Sequence, residues 1–439
     1  MDHNTPHIQQ SEQQARLSLL IPAQDRVPHP SRLCEGWGNR VSDPLSFPRT
    51  FLLTLAILLT ATLPAKAQWD IQESHTTASL RGIHNVGGGV AWASGTEGTV
   101  LRTEDGGHLW QGCATPPGAE KLDFRGIQAF DENTAIVMSS GKGDLSRLYK
   151  TTDGCRTWKL LFTNPDKEGF WDALQFDYSP SQGHPKGDGA GVLIGDPVNG
   201  SFVIYTTHNQ GDSWEIWATN EKEKAYLRFD PAKAHKSESL FAASNSAAAV
   251  LSKNQFFFVT GGTGGAHIFA SEGHDPIDNG MTWKFAVTKL PLASTETAGA
   301  FSLAERRTGP YSADFMIVGG DYQSPSAVGT AVFLPFSKQS TFFDLDLAAQ
   351  KVQAAKTPPH GYRSSVAYDL KTKTWITVGP SGTDTSRDDG RNWSPLKPTA
   401  AEPQDSDKNW NALSLPFVVG PKGRIGKLRD NAIPAALKK

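Results

Sequence analysis

An eight-residue pattern, Thr/Ser-x-Asp-x-Gly-x-x-Trp, returns along the chain and stands complete at Thr103–Trp110 and Ser386–Trp393. Three worn copies lie between. Thr151–Trp158 carries Cys155 in place of the Gly, Thr207–Trp214 carries Asn209 in place of the Asp, and Asp278–Trp283 lacks the leading hydroxyl. Each copy has the chemistry of a tight hairpin turn. The carboxylate and the hydroxyl accept from backbone N–H groups, the Gly takes a left-handed backbone angle, and the Trp is a large apolar plug. Asp105, Asp153, Asn209, Asp278 and Asp388 are therefore read as structural, together with Trp110, Trp158, Trp214, Trp283 and Trp393. Turn chemistry accounts for every position. Such recurrence means a repeat, in which each unit covers the apolar face of the next.

These turns are Asp boxes, the mark of BNR repeats, and they point to a β-propeller. Aligning them recovers a repeat of roughly 50 residues, the size of a four-stranded blade. Units open with a bulky residue and a small-apolar strand, at Leu80-Arg81, Phe124-Arg125, Trp171-Asp172, Leu240-Phe241, Ala298-Gly299, Tyr362-Arg363 and Trp410-Asn411. A Gly-rich turn follows the second strand of each, as at Gly195-Asp196 and Gly319-Gly320-Asp321-Tyr322. The expectation is an all-β, seven-bladed propeller over residues 68–430, with 431–439 as a C-terminal tail. The fifth unit has lost its box. The short segment Trp69–Glu73 is expected to complete the last blade and close the ring, which hides sheet edges that would otherwise pair with other chains.

Composition bounds the function. With 42 Gly, 12 Trp, 20% charged residues and a net charge of −2, the chain lacks the basic excess of a nucleic-acid binder. The apolar run Phe51–Leu63 follows Arg49 and precedes Ala65-Lys66-Ala67. It reads as a secretory signal: too short to span a bilayer, and followed by an A-x-A cleavage site before Gln68. Residues 1–67 are set aside as extension and signal, with translation expected to start near Val41. The mature chain is expected to be exported, periplasmic or secreted, monomeric, and without a transmembrane segment. Cys34 precedes the signal, whereas Cys113 and Cys155 survive it, and their spacing leaves a disulfide open. No C-x-x-C is present, and His184, His208, His235 and His267 lack ligand spacing, so neither metal nor cofactor is expected.

Blade geometry sorts the remaining charges. One face of the disc carries the box turns. On the other, the blade openings meet the turns between second and third strands around the mouth of the channel. Arg81, Arg125 and Arg363 would form a positive arc there, and Asp172, Asp196, Glu238 and Asp321 an acidic one, with Tyr322 beside them. Either these groups pair and cap turns, or they receive a ligand or partner. The insertion Ser179–Gly191 is either a contact arm or a solvated loop.

The order Gly195-Asp196-Pro197, Phe241–Ser244, Gly319–Tyr322, Gly361–Ser364 and Val419–Ile425 resembles exported bacterial BNR-repeat proteins, and through them the photosystem II stability/assembly factor family. The likeness runs from about Gln68 to Leu428, nearly all of the mature chain. It implies a seven-bladed propeller that holds protein partners without catalysis. The competing reading is a glycoside hydrolase or sialidase acting on a glycan, with carboxylates such as Asp172 and Asp321 as acid and base. A sialidase's Phe-Arg-Ile-Pro is not met by Phe124-Arg125-Gly126-Ile127, and no dinucleotide-binding glycine motif supports an oxidoreductase.

Overall fold

The computed structural model describes residues 68–177, 189–217, 227–252, 255–274, 281–309, 312–337, 352–400 and 402–434. These form seven mainly antiparallel sheets, one per blade. Blade 1 comprises Leu80–Gly87, Val90–Gly95, Val100–Thr103 and Gln111–Gly112. Blade 2 comprises Phe124–Ala129, Ala135–Ser139, Arg147–Thr151 and Lys159–Thr163. Blade 3 follows with Trp171–Phe176, Gly191–Val198, Ser201–Thr207 and Glu215–Ile216. Blade 4 opens at Ala248–Ser252 and ends at Met281–Lys289, where Leu227–Phe229 adds a parallel outer strand. Blade 5 is the longest, with Ala298–Gly309 paired to Ser312–Asp321. Blade 6 opens at Ser365–Asp369.

Blade 7 is built from both ends of the propeller. Ala412–Ser414, Phe417–Val419 and Ile425–Leu428 supply three strands, and Trp69–Gln72 pairs antiparallel with the last, Trp69 opposite Leu428. The expected closure is thus present. Ile433 is buried beside Trp69 and Trp410, so the chain beyond residue 430 still packs into this blade. Near the axis the opening strands approach closely. A Cβ on Gly82 would lie 3.1 Å from the Arg125 carbonyl oxygen of blade 2, and one on Gly126 would lie 2.8 Å from Asn245 Oδ1.

The box turns share one hydrogen-bond pattern. Thr103 Oγ1 donates to Asp105 Oδ1 at 2.8 Å and accepts from the Gly107 N–H at 2.9 Å, while Asp105 Oδ1 accepts from the Leu109 N–H at 3.0 Å. Thr151/Asp153, Thr207/Asn209 and Ser386/Asp388 repeat it. Cys155 takes the left-handed angle that Gly107 takes in blade 1 (φ 62° and 88°), and its N–H still reaches Thr151 Oγ1. The box Trp side chains fill seams with the preceding blade: Trp110 against Phe417 of blade 7, Trp158 against blade 1, Trp393 against Met316 of blade 5. Trp214 packs likewise at the seam with blade 2. Asp278 lies outside the described residues, as do the side chain of Trp283 and His184 with most of the insertion around it.

Cys113 and Cys155 form a disulfide with Cα atoms 5.3 Å apart, tying the outer edge of blade 1 to the box turn of blade 2. Among the described residues, no helix is long and apolar enough to cross a membrane.

Candidate functional site at the channel mouth

A cavity of about 480 Å³ opens on the face away from the boxes. Blade openings contribute Arg81, Arg125, Asp172, Ala242, Ser364 and Asn411; turns between second and third strands contribute Tyr322 and Pro380, whereas Asp196, expected in such a turn, lies at a bulge within the second strand of blade 3. Five of the residues expected at the mouth, Arg81, Arg125, Asp172, Asp196 and Tyr322, therefore share one concavity. An aromatic wall stands beside them. Phe241 and Phe301 stack with centroids 4.1 Å apart, Tyr322 meets both edge-on at 6.2 Å, and Tyr362 packs against Phe301 at 4.7 Å. Sequence reasoning missed Phe241, Phe301 and Tyr362 as site residues. An apolar residue opening a blade reads the same whether it fills a core or lines a cavity.

The arginines are oriented by a carboxylate they share. Arg125 Nε donates to Asp123 Oδ2 at 2.8 Å and its NH1 to the Ala242 carbonyl at 3.2 Å; Arg81 Nε lies 3.7 Å from Asp123 Oδ1. Asp172 and Asp196 are held differently. Asp172 is 2% exposed, and its Oδ2 is buried without a hydrogen-bond partner. Asp196 Oδ1 accepts from the Leu240 N–H at 3.1 Å. Burial pushes the Asp172 carboxyl well above the usual carboxylate range; the nearby Asp196 charge adds to this and Arg125 opposes it. Burial likewise pushes Asp196 up to about 6. Two neighbouring carboxyls in a dry site titrate as a pair, because the second charge must be created beside the first.

The other three expected residues are engaged elsewhere. Arg363 is fully buried in an ion pair with Asp384, which accepts from its Nε at 2.8 Å and from its NH2; further bonds reach Ser381 Oγ and the carbonyls of Tyr362 and His360. It occupies an opening position, but an acid on the third strand of its own blade draws the guanidinium back from the cavity. Asp321 caps its turn, with Oδ1 accepting from Thr297 Oγ1 at 2.7 Å and the Gln323 N–H at 2.9 Å. It does not line the cavity, so the acid and base pair considered with Asp172 is not assembled there.

Glu238 is buried in a cluster of its own. Oε1 accepts from Thr260 Oγ1 and contacts His267 Nδ1 at 2.9 Å; Oε2 accepts from the His235 N–H at 2.7 Å and contacts His235 Nδ1 at 2.9 Å. His235 and His267, which lack ligand spacing in the sequence, are brought together with Glu238 by the fold, and the three side chains have potential ligand atoms within 4.8 Å of one another. The imidazoles stack at 4.3 Å with planes 12° apart. A cation bound through both lone pairs would lie in both ring planes, and two stacked parallel planes share no such point. The arrangement is a carboxylate clamping two rings.

No family model matches the sequence, and no curated protein does. Solved structures match by shape. YCF48 bound to a D1 peptide is 15% identical with a TM-score of 0.50, over 83% of this chain and 98% of that one. YCF48 from Cyanidioschyzon merolae is 17% identical with a TM-score of 0.49, over 83% and 99%. The GH74 enzyme of Niastella koreensis is 13% identical with a TM-score of 0.29, over 76% of this chain and 52% of that one. The first of these bears out the seven-bladed fold and the resemblance to the photosystem II assembly factor; at such identity it speaks to the fold alone.

Proposed function

We propose that this chain is an exported binding scaffold that seats a segment of a protein partner in the channel-mouth cavity. The observation that carries this reading is the cavity itself. Two guanidinium groups, two carboxyls and an aromatic wall converge in a concavity of about 480 Å³, with Arg125 anchored by Asp123, Asp196 by the Leu240 N–H, and Phe241 stacked on Phe301. Rigid aromatic anchors beside oriented charges are the usual makings of a recognition hot spot. YCF48, whose fold this chain shares, has been solved with a D1 peptide bound. Export is supported by the apolar run before Gln68 and by the Cys113–Cys155 disulfide, a bond that persists in oxidising compartments.

Site-specific photocrosslinking tests the reading. With a benzophenone side chain at position 322, the chain incubated in native envelope extract should give discrete protein adducts. The same group at position 109, exposed on the box face, should not. Arg81→Ala/Arg125→Ala should lose the adducts while its melting curve remains that of a cooperatively folded chain. Adducts of equal yield from both faces, or adducts that survive the double substitution, would refute a mouth-centred scaffold. For export, the mature N-terminus recovered outside the cytoplasm should be Gln68.

A further inference from the structure

We propose that the Asp172–Asp196 end of the cavity is an ammonium subsite, which takes a primary amine such as a lysine side chain against the aromatic stack of Phe241, Phe301 and Tyr322. It rests on the scaffold reading only for which molecule presents the amine. Asp172 Oδ2 is a buried acceptor with nothing donating to it, in the wall of an open cavity. Buried acceptors are ordinarily met by a donor, so an unmet one in the wall of an open cavity is placed to receive a donor brought from outside. The backbone fixes the Asp196 end of the pair: Asp196 Oδ1 accepts from the Leu240 N–H at 3.1 Å, and the Asp196 N–H donates to the Phe170 carbonyl at 2.9 Å. Phe241 sits in the chain between Leu240 and Ala242, which brings the edge of the aromatic wall to the acid pair. Carboxylates beside ring faces recognise ammonium, by charge-assisted hydrogen bonds and by attraction to the rings.

Other charges near the pair leave this role open. Arg125 faces Asp172, but its Nε is bonded to Asp123 and its NH1 to the Ala242 carbonyl. Arg81 lies beyond it on the other oxygen of Asp123, and the remaining titratable groups of the cavity are the phenols of Tyr322 and Tyr362. A hard divalent cation fits poorly, since calcium asks for six to eight oxygen ligands and the wall beside the two carboxyls is lined by Phe170, Phe241 and Phe301. A primary amine needs three acceptors at most. Its arrival favours the ionised acids, so binding releases protons and strengthens as pH rises through the Asp196 value of about 6.

The full chain can be titrated with Nα-acetyl-lysine amide and, as a shape-matched probe without charge, Nα-acetyl-norleucine amide, read by ligand-observed NMR. At pH 7.5 the lysine probe should bind ~10-fold tighter than the norleucine probe. At pH 5 the preference should shrink towards none. Asp172→Asn and Asp196→Asn should each abolish it, and Leu109→Ala, exposed on the box face, should keep it. Equal affinity for the two probes at pH 7.5, or a preference that survives in the Asn variants, would overturn the subsite. Should Asp172→Asn fail to fold, Asp196→Asn alone decides. The probes are independent of any protein partner. A lost lysine preference with crosslinking intact would therefore remove the subsite alone, and the converse would remove the scaffold reading alone.

Discussion

Carboxylates on the two faces of the disc are built for opposite ends. On the box face, Asp105 accepts from the Leu109 N–H and Thr103 and is held below its usual range; Asp153, bonded to the hydroxyl and N–H of Thr157, falls to about 2. For Asp388 burial pulls upward, but the Asn392 N–H and side chain outweigh it. At the mouth, Asp172 and Asp196 lie in drier surroundings with fewer donors, and both are raised. Donor-rich carboxylates stabilise a turn, whereas donor-poor ones are left to meet something else.

The largest test breaks the simple division by face. Arg363 sits at a mouth-side opening yet is structural, so Asp384→Ala, which strands its buried charge, should cost ~3–5 kcal/mol in denaturant unfolding. A loss below ~1 kcal/mol would mean that the guanidinium escapes to the cavity. Next, Cys113→Ser/Cys155→Ser opens the cross-link between blades 1 and 2 and should cost ~2–4 kcal/mol, with crosslinking from position 322 unchanged. Thr103→Val leaves the buried Gly107 N–H unmet and should cost ~1–2 kcal/mol, again without effect at the mouth.

The smallest effect sharpens the comparison most, because one kind of substitution should change sign between faces. Asp196 binds its proton more tightly folded (about 6) than unfolded (about 3.8), so stability falls as pH rises through that window. Asp196→Asn removes the titration and should raise the melting temperature at pH 7.5 but not at pH 4. Asp153 is depressed when folded, so its contribution is present above its unfolded value and lost as pH falls towards 2. Asp153→Asn should lower the melting temperature at pH 7, and only slightly, because Asn209 keeps the same turn in blade 3 with its amide oxygen. Equal signs for the two substitutions in melting curves would erase the distinction between faces.

The sequence by itself determined whatever depends on neighbours within a few residues. The box hydroxyl, its Asp and the N–H groups they bind span four positions or fewer, so the turns, the blade period and the side of the disc on which Arg81, Arg125, Asp172, Asp196 and Tyr322 emerge could all be read from spacing. Only the tertiary structure decided which charges are spoken for. Asp384 lies 21 residues beyond Arg363, His267 lies 29 beyond Glu238, and Asp321 meets Thr297 from 24 residues away. Those partners arrive on other strands and turns, and no local pattern names them. The aromatic wall was hidden for a related reason. Whether Phe241 and Phe301 cover a core or face a cavity depends on how closely neighbouring blades approach at the axis, which the packing of the closed ring sets.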